Sequence, residues 1–315
     1  MTWTFAVDAA LVLLILAVAV WTIAARDTFA AVVGFVAYGL LLALVWVRLH
    51  AVDVALTEAA IGSGLSGVLL IGAAARLRST EAKAAEERPS AATRVVAALF
   101  AAAVATGLAA AVLSLPDPAP TLAPEAVANL AATGLGNPVT AVLMAYRATD
   151  TFLEKIVLLL AVVGVWSLAP DRLWGGRPGP HHRVDPGGVL PFLASVLPPL
   201  GIVVGIYIFW ISADHPGGAF QGGTILAAMW LLVIMAGLAD APPVSRTSLR
   251  LVLLAGPAVF LAVGLAGFFI AEAFLAYPVD YAKALILTIE VAMIVSIAAM
   301  LGMLLAGTPQ RNGER

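Results

Sequence analysis

Nine runs of predominantly apolar residues constrain this chain more than any other feature, because each is about as long as a bilayer is thick once coiled as a helix. They cover 5–25, 29–47, 54–75, 92–115, 151–168, 189–211, 221–238, 249–275 and 281–305. In hydrocarbon the backbone must satisfy its own N–H and C=O groups, so such runs are expected as helices. Composition agrees: 62% of the residues are hydrophobic, only 11% are charged and the mean hydropathy is +1.02, whereas soluble domains carry about 25% charged residues. The expected fold is an all-α integral membrane protein with about nine transmembrane helices. The start of the chain lacks a basic region before its first apolar run, which favours a retained span over a cleaved signal peptide.

Where the charges sit says more than the net charge of −2. Sorted between alternate loops, Arg26, Arg76, Arg78, Lys83, Arg88, Arg94, Arg172, Arg177, Arg183, Arg246, Arg250, Arg311 and Arg315 fall on one side, and only Arg48 and Arg147 on the other. Thirteen against two, by the positive-inside rule, puts the N-terminus outside and the C-terminus in the cytoplasm. Nucleic-acid binding is excluded. Without cysteine there are no disulfides, no thiolate-held iron–sulfur clusters and no Cys-rich zinc sites.

Two polar connectors, 79–90 and 171–188, divide the chain. The resulting modules are 1–80 with three spans, 91–170 with two spans and an external loop, and 186–307 with four. The external loop contains Pro116, Pro118, Pro120 and Pro124, and a short surface helix is expected near 125–132. Asn137-Pro138 reads as an N-cap with Pro at the first helical position. A helix running from there to Leu168 would be too long for one perpendicular span, so tilt, a break near 147–151 or an interfacial first half is expected. No fixed-period repeat and no inverted pair of broken helices is evident.

Carboxylates within apolar runs cost several kcal/mol, roughly 2.5–3.5 on insertion scales, and are functional hypotheses by default. Those inside or at the edge of spans are Asp8, Asp53, Glu58, Asp150, Glu154, Glu272 and Glu290, with Lys155 and Lys283 as possible counter-charges. On a helix Asp150 and Glu154 share a face, and Lys283 and Glu290 align two turns apart. Asp8, Asp53, Asp150 and Glu272 are expected as caps or solvated ends at the membrane boundary. Glu58, Glu154 with Lys155, and Glu290 lie deeper, in the outer half of the membrane, and point to a polar path opening outward, against the alternative of structural ion pairs. Such carboxylates can carry protons or coordinate a partly dehydrated Na⁺.

Other motifs say less. Gly62-Ser-Gly64-Leu-Ser-Gly67 has the letters of a dinucleotide fingerprint, but no strand precedes it, and small residues at this spacing serve close helix packing. His181-His182, with only Asp185 near, reads as a solvated loop and not a metal site. No P-loop, nucleophile elbow or HExxH occurs, so neither catalysis nor a bound cofactor is expected. Between the sixth and seventh runs, Asp214-His215-Pro216-Gly217-Gly218-Ala219-Phe220-Gln221-Gly222-Gly223 permits a tight re-entry into the next helix and exposes backbone amides. It is either a simple external turn or a polar mouth at which His215 is a candidate for proton entry.

Three of these stretches resemble one family. Asp53 with Leu56-Thr57-Glu58, in the segment 55–77, is similar to the C-terminal part of the large subunit of Mrp-type Na⁺/H⁺ antiporters and to its counterpart in membrane-bound hydrogenases. Tyr146-Arg-Ala-Thr-Asp150-Thr-Phe-Leu-Glu154, followed by Ala161-Val-Val-Gly164-Val, resembles the next module of those assemblies, and His215-Pro-Gly-Gly-Ala-Phe-Gln-Gly-Gly223 resembles the Pro-Gly-Gly-Gly-Phe signature of the antiporter B subunit. The resemblance implies a fused membrane subunit of a multisubunit monovalent cation (Na⁺)/proton antiporter in a prokaryotic plasma membrane, partnered by lipid, Na⁺, H⁺ and other membrane subunits, including large antiporter-like ones. The implied ion path comprises Glu58, Asp53, Asp150, Glu154, Lys155, Glu290, Lys283 and His215, beneath a loop built on Pro216, Gly217, Gly218, Phe220, Gly222 and Gly223. The alternative is a scaffold or ion-path subunit of a related redox-driven complex, hydrogenase or complex I-like. Two positions depart from the pattern: Gly62 stands where the large subunits place their acid, one turn after Glu58, and Ala219 stands where the B-type motif has a third Gly.

Overall fold

The computed structural model describes residues 3–84, 90–179 and 188–310. His181, His182, Arg183 and Asp185 lie outside the described residues, as do Arg88, Arg311 and Arg315. All nine apolar runs coil as helices; most ends fall where expected, but the third run continues to Ala84 and the eighth stops at Ile270. Seven of these helices are long and apolar enough to cross a membrane.

Helices α1 (Trp3–Ala24) and α2 (Thr28–Arg48) form a hairpin. Asp27 caps α2 by accepting the Ala30 N–H at 2.8 Å, and at the far end Arg48 donates to Asp8 at 2.8 and 3.1 Å. A short helix α3 (Val52–Thr57) passes into a π-helical stretch, Glu58–Leu65, and emerges as α4 (Ser66–Ala84). The first half of the 79–90 connector therefore continues α4. The π stretch coincides with Gly62, Ser63 and Gly64, poor helix formers that yield a widened turn at little cost. Helix α5 (Ala91–Leu113) is capped by Ser90 and buries none of its residues.

The external segment folds as two short helices, α6 (Ala123–Ala128) and α7 (Leu130–Thr133), separated at Asn129, where a single helix was expected. Asn137 then caps α8 (Pro138–Ala141) as its sequence predicts, accepting the Val139 N–H at 2.9 Å. A π turn (Val142–Tyr146) and the non-helical Arg147 (φ −129°) interrupt the run before α9 (Ala148–Ser167). The expected break is thus present at Arg147, the first residue of the range in which it was expected, with a π turn just before it.

The rest is a compact four-helix unit of α10 (Val189–Trp210), α11 (Ala219–Met235), α12 (Thr247–Ile270) and α13 (Ala282–Ala306), with α9 against it. Helix α13 is its axis: Ile286, Ile289, Met293, Ile297, Met300 and Met303 are buried among α9, α11 and α12. Close approach of α10 and α11 depends on Gly205 and Gly222, since a Cβ on Gly222 would stand 2.5 Å from the Gly205 carbonyl. Ser296 ties α13 to α12 by donating to the Leu253 carbonyl at 2.7 Å. At the end of the bundle away from Asp214, a two-stranded ladder, β1 (Arg177–Pro178) with β2 (Pro309–Gln310), and the Arg177–Asp240 ion pair gather the connector after α9, the α11–α12 loop and the segment after α13. The outer faces of α1, α5 and α10 stay apolar and exposed, as faces turned to lipid or to other helices must be.

Candidate functional site

The Asp214–Gly223 stretch joins the parts of the chain that sequence distance separates. Its first half bridges α10 to α11, and the Ala213 carbonyl accepts the amides of Gly136 and Asn137 at 2.9 and 3.0 Å. Thr140 donates to the Ser212 carbonyl at 2.7 Å. Asn137 uses its Nδ2 on the His215 carbonyl at 3.0 Å and lies 3.4 Å from Asp53 Oδ1. The Gly217 amide donates to that same Oδ1 at 2.9 Å. One helix turn on, Gln221 donates to Thr57 at 3.0 Å. Asp53 is therefore buried, at 8% exposure, with its Oδ1 held by the Gly217 amide of the glycine loop. This replaces the expectation of a solvated span end: Asp53 sits at the start of α3, but the glycine loop folds over it and buries it beside the cavity.

Beneath this lid lies a cavity of about 330 Å³, whose lining includes Asp53, Thr57, Glu154, Lys155, Gln221 and Glu290. Glu290, 3% exposed on α13, accepts from Ser212 Oγ at 3.2 and 3.3 Å and from the Ala219 amide at the start of α11. The Ala at 219 leaves this amide available, so the departure from a third Gly does not disturb the contact. Lys155 is 2% exposed; its Nζ pairs with Glu154 at 3.0 Å and stands 4.2 Å from the centre of the Phe220 ring, a cation–π contact. Two carboxylates of high burial and one buried ammonium thus face one space, drawn from α3, α9 and α13. Such a set can exchange a proton or hold a partly dehydrated cation through carboxylate and hydroxyl oxygens.

The remaining predicted residues lie around this cavity or apart from it. Residues 53, 54, 57 and 61 present one face of the α3 segment to the cavity, and Glu58 turns away toward α2. Its Oε1 lies 2.2 Å from where a Gly62 Cβ would be and 3.2 Å from where a Gly39 Cβ would be. Gly62 thus makes room for the Glu58 carboxylate to lie over its own backbone, one turn along. Beside it Ser63 Oγ is buried without a hydrogen-bond partner among the described residues. Asp150 pairs with Arg147 at 2.5 Å on the exposed rim. Lys283 does not turn to Glu290, although the two align on α13; it donates to both oxygens of Asp214 at 2.9 Å. His215 and Pro216 are exposed above the cavity, whereas Gly217, Gly222 and Gly223 are buried and Gly218 and Phe220 half-buried. Sequence reasoning missed Ser212, Asn137, Thr140 and Gln221. The Asn137-Pro138 cap signal drew attention to Asn137 and the Asp214–Gly223 motif contains Gln221, but neither was given a role at the site.

Lys283 holds the Asp214 carboxyl below its usual 3.8, with the Gly136 amide adding to the effect and partial burial opposing it. A depressed folded-state value means stability present above about pH 3.8 and lost as pH falls through the lower, folded value. Both side chains are substantially exposed, so Asp214→Asn is expected to cost at most ~1 kcal/mol at pH 7. Thermal melts at pH 7 and at pH 3 check this; the wild-type advantage should shrink at the lower pH.

Comparison with known proteins converges on the same architecture. Residues 13–79 match the MbhD family, one of the MBH subunits, and residues 189–308 match a domain related to the MnhB subunit of the Na⁺/H⁺ antiporter. An uncharacterized protein of Methanocaldococcus jannaschii is 29% identical over 149 residues, which are 42% of this chain and 57% of that protein. Among solved structures, a chain of the Mrp complex from Dietzia sp. superposes with a TM-score of 0.75 at 25% identity, over 97% of this chain and 35% of that one. A chain of the membrane-bound sulfane sulfur reductase, an archaeal respiratory membrane complex, shares the fold over 68% of this chain and 98% of its own, with a TM-score of 0.54 at 22% identity. With an MbhD segment at 13–79, an MnhB-related domain at 189–308 and the fold of a chain of the Mrp complex over nearly its whole length, the chain resembles subunits of Mrp-type antiporters and of membrane-bound hydrogenases.

Proposed function

We propose that this chain is a membrane subunit of a multisubunit monovalent cation/proton antiporter and contributes buried carboxylates to the ion path. The observation that carries the reading is the cavity under the Gly217 loop, where Asp53, Lys155 and Glu290 converge from three helices. Glu154 and the rim residues Asp150, Lys283 and His215 extend the path toward the face on which Asp214 lies, while Glu58, turned toward Gly39 of α2, stands apart from this cavity. That face is the outer one if the basic loops are cytoplasmic, and the clustering of Arg177, Arg246 and Arg250 at the opposite end supports this orientation. The three-module division, 1–80, 91–170 and 186–307, fits the placement of the two family matches. The path so assembled is a half-channel open at one side, so completion falls to neighbouring antiporter-like subunits in a prokaryotic plasma membrane. The chain spans about a third of the Mrp chain it superposes on, and the role is therefore that of a part within an assembly.

A second reading, a subunit of a redox-driven relative, is favoured by the MbhD match at 13–79. The two separate in everted membrane vesicles. Antiport driven by an imposed Na⁺ gradient is expected to vanish when the chain is deleted and to return with it, with no need of an electron donor. Gentle detergent extraction is expected to retain several membrane subunits on the chain. Unchanged antiport after deletion, or a chain that emerges alone, overturns the proposal, and transport only with an electron donor selects the second reading.

A further inference from the structure

Helix α12 begins with positive charge that no carboxylate among the described residues neutralises. Arg246 is its N-cap residue and makes no side-chain capping bond, Arg250 follows one turn later, and the first turn holds no acidic residue. A helix N-terminus already carries about half a positive charge, so two arginines there add to an unfavourable field. The nearby Asp240 is taken by Arg177, and among the described residues neither Arg246 nor Arg250 has a carboxylate within salt-bridge reach. Arg250 is oriented even so: its Nε donates to the Val244 carbonyl at 3.0 Å, which leaves the two outer guanidinium nitrogens for another acceptor.

Directly beside it runs a groove of about 340 Å³ between α9 and α12. Leu159, Val163 and Trp166 of α9 form one wall and Leu253 and Leu254 the other, with Trp174 and Arg250 among the residues at its end. Trp166 is 4% exposed, and its indole Nε1–H finds no acceptor among the described residues. Trp174, by contrast, is half exposed, as interfacial tryptophans are. A groove with apolar walls, a cation at its end and tryptophan at the interface has the chemistry of one amphiphile.

We infer that the α9–α12 groove binds an anionic phospholipid, with an acyl chain along Leu159, Val163 and Leu254 and the phosphate on the Arg250 guanidinium. Charge decides the class: a zwitterionic lipid returns a cation to a site that already holds Arg246, Arg250 and a helix N-terminus, whereas an anionic one neutralises it. A guanidinium fork meets phosphate oxygens in pairs, which gives Arg250 an advantage over a lysine. The bound lipid staples α9, which carries Lys155, to the four-helix unit through α12.

The test uses the full chain with whatever subunits remain bound, reconstituted in nanodiscs. Phosphatidylglycerol in place of phosphatidylcholine is expected to raise its melting midpoint, and native mass spectrometry should find a retained phosphatidylglycerol. Arg250→Gln and the groove-filling Val163→Trp should each abolish the difference between the two lipids and at least halve the retained lipid, while Arg250→Lys keeps part of both. Inorganic phosphate added in detergent should raise the midpoint little, which distinguishes a lipid from a free anion. A lipid-dependent shift that persists in both Arg250→Gln and Val163→Trp overturns the inference, as does equal stabilisation by the two lipids.

Discussion

Glu290→Gln should leave the fold intact and lower cation/proton antiport by the assembled complex about tenfold or more, equivalent to at least ~1.4 kcal/mol on the limiting transfer. The fold survives because both groups that hold the carboxylate are donors: Ser212 Oγ and the Ala219 amide can donate to the amide oxygen as they do to Glu290. What disappears is an exchangeable charge. A Gln cannot release a proton, and its NH₂ turns a donor toward a cavity in which Lys155 already supplies one. Glu290→Asp keeps the charge but withdraws it by one methylene, so an intermediate rate is expected. Sodium-driven pH changes in everted vesicles, with the amount of assembled complex measured alongside, check this. Wild-type rates in Glu290→Gln would place the residue outside the path and leave it a structural acceptor for Ser212.

How much of this was legible in the sequence differs by feature, for physical reasons. Apolar helices are set by length and composition, and so the nine helical runs could be read directly, seven of them long and apolar enough to cross a membrane. Local chemistry was equally readable at Asn137-Pro138, because a cap is formed within three residues. The break before α9 followed from length, but its form, a π turn closed by Arg147, did not. Pairings across the chain were hidden. Helical periodicity placed Lys283 and Glu290 on one face, yet Lys283 sits in the first turn of α13, where the Asp214 loop is the nearer anion. Asp53 looked like a water-facing span end because nothing local marks an amide 164 residues away as its partner. The same blindness applies to Glu58: periodicity set it about 100° from Thr57, but only the packing of α2 shows that this direction meets Gly39 and not the cavity.

The loop that closes the cavity has the least room for change, and Gly217→Ala is expected to be the most destabilising small substitution in it. A Cβ there would stand 2.2 Å from the Ile208 carbonyl and 3.2 Å from its carbon, both backbone atoms of α10 that no rotamer change can move aside. Overpacking of this kind costs about 1–3 kcal/mol. The relaxation available to the loop makes matters worse, because shifting Gly217 draws its amide away from Asp53. That buried carboxylate would keep only the long Asn137 contact, and an unsatisfied buried polar group adds a further ~1–3 kcal/mol, more when charged. The two effects share one displacement and will not simply add. Gly218→Ala provides the comparison, since the atoms nearest a Cβ there belong to the Gln221 side chain, which can swing away. Thermal melts of the two variants in detergent should therefore show a lowered midpoint for Gly217→Ala and a smaller change for Gly218→Ala. If Asp53→Asn is then introduced, its own cost should be smaller in the Gly217→Ala background than in wild type, because the bond it weakens is already lost. Equal costs in both backgrounds would mean that Asp53 and the loop are energetically independent, and that the lid is held by the Asn137 and Ala213 contacts alone.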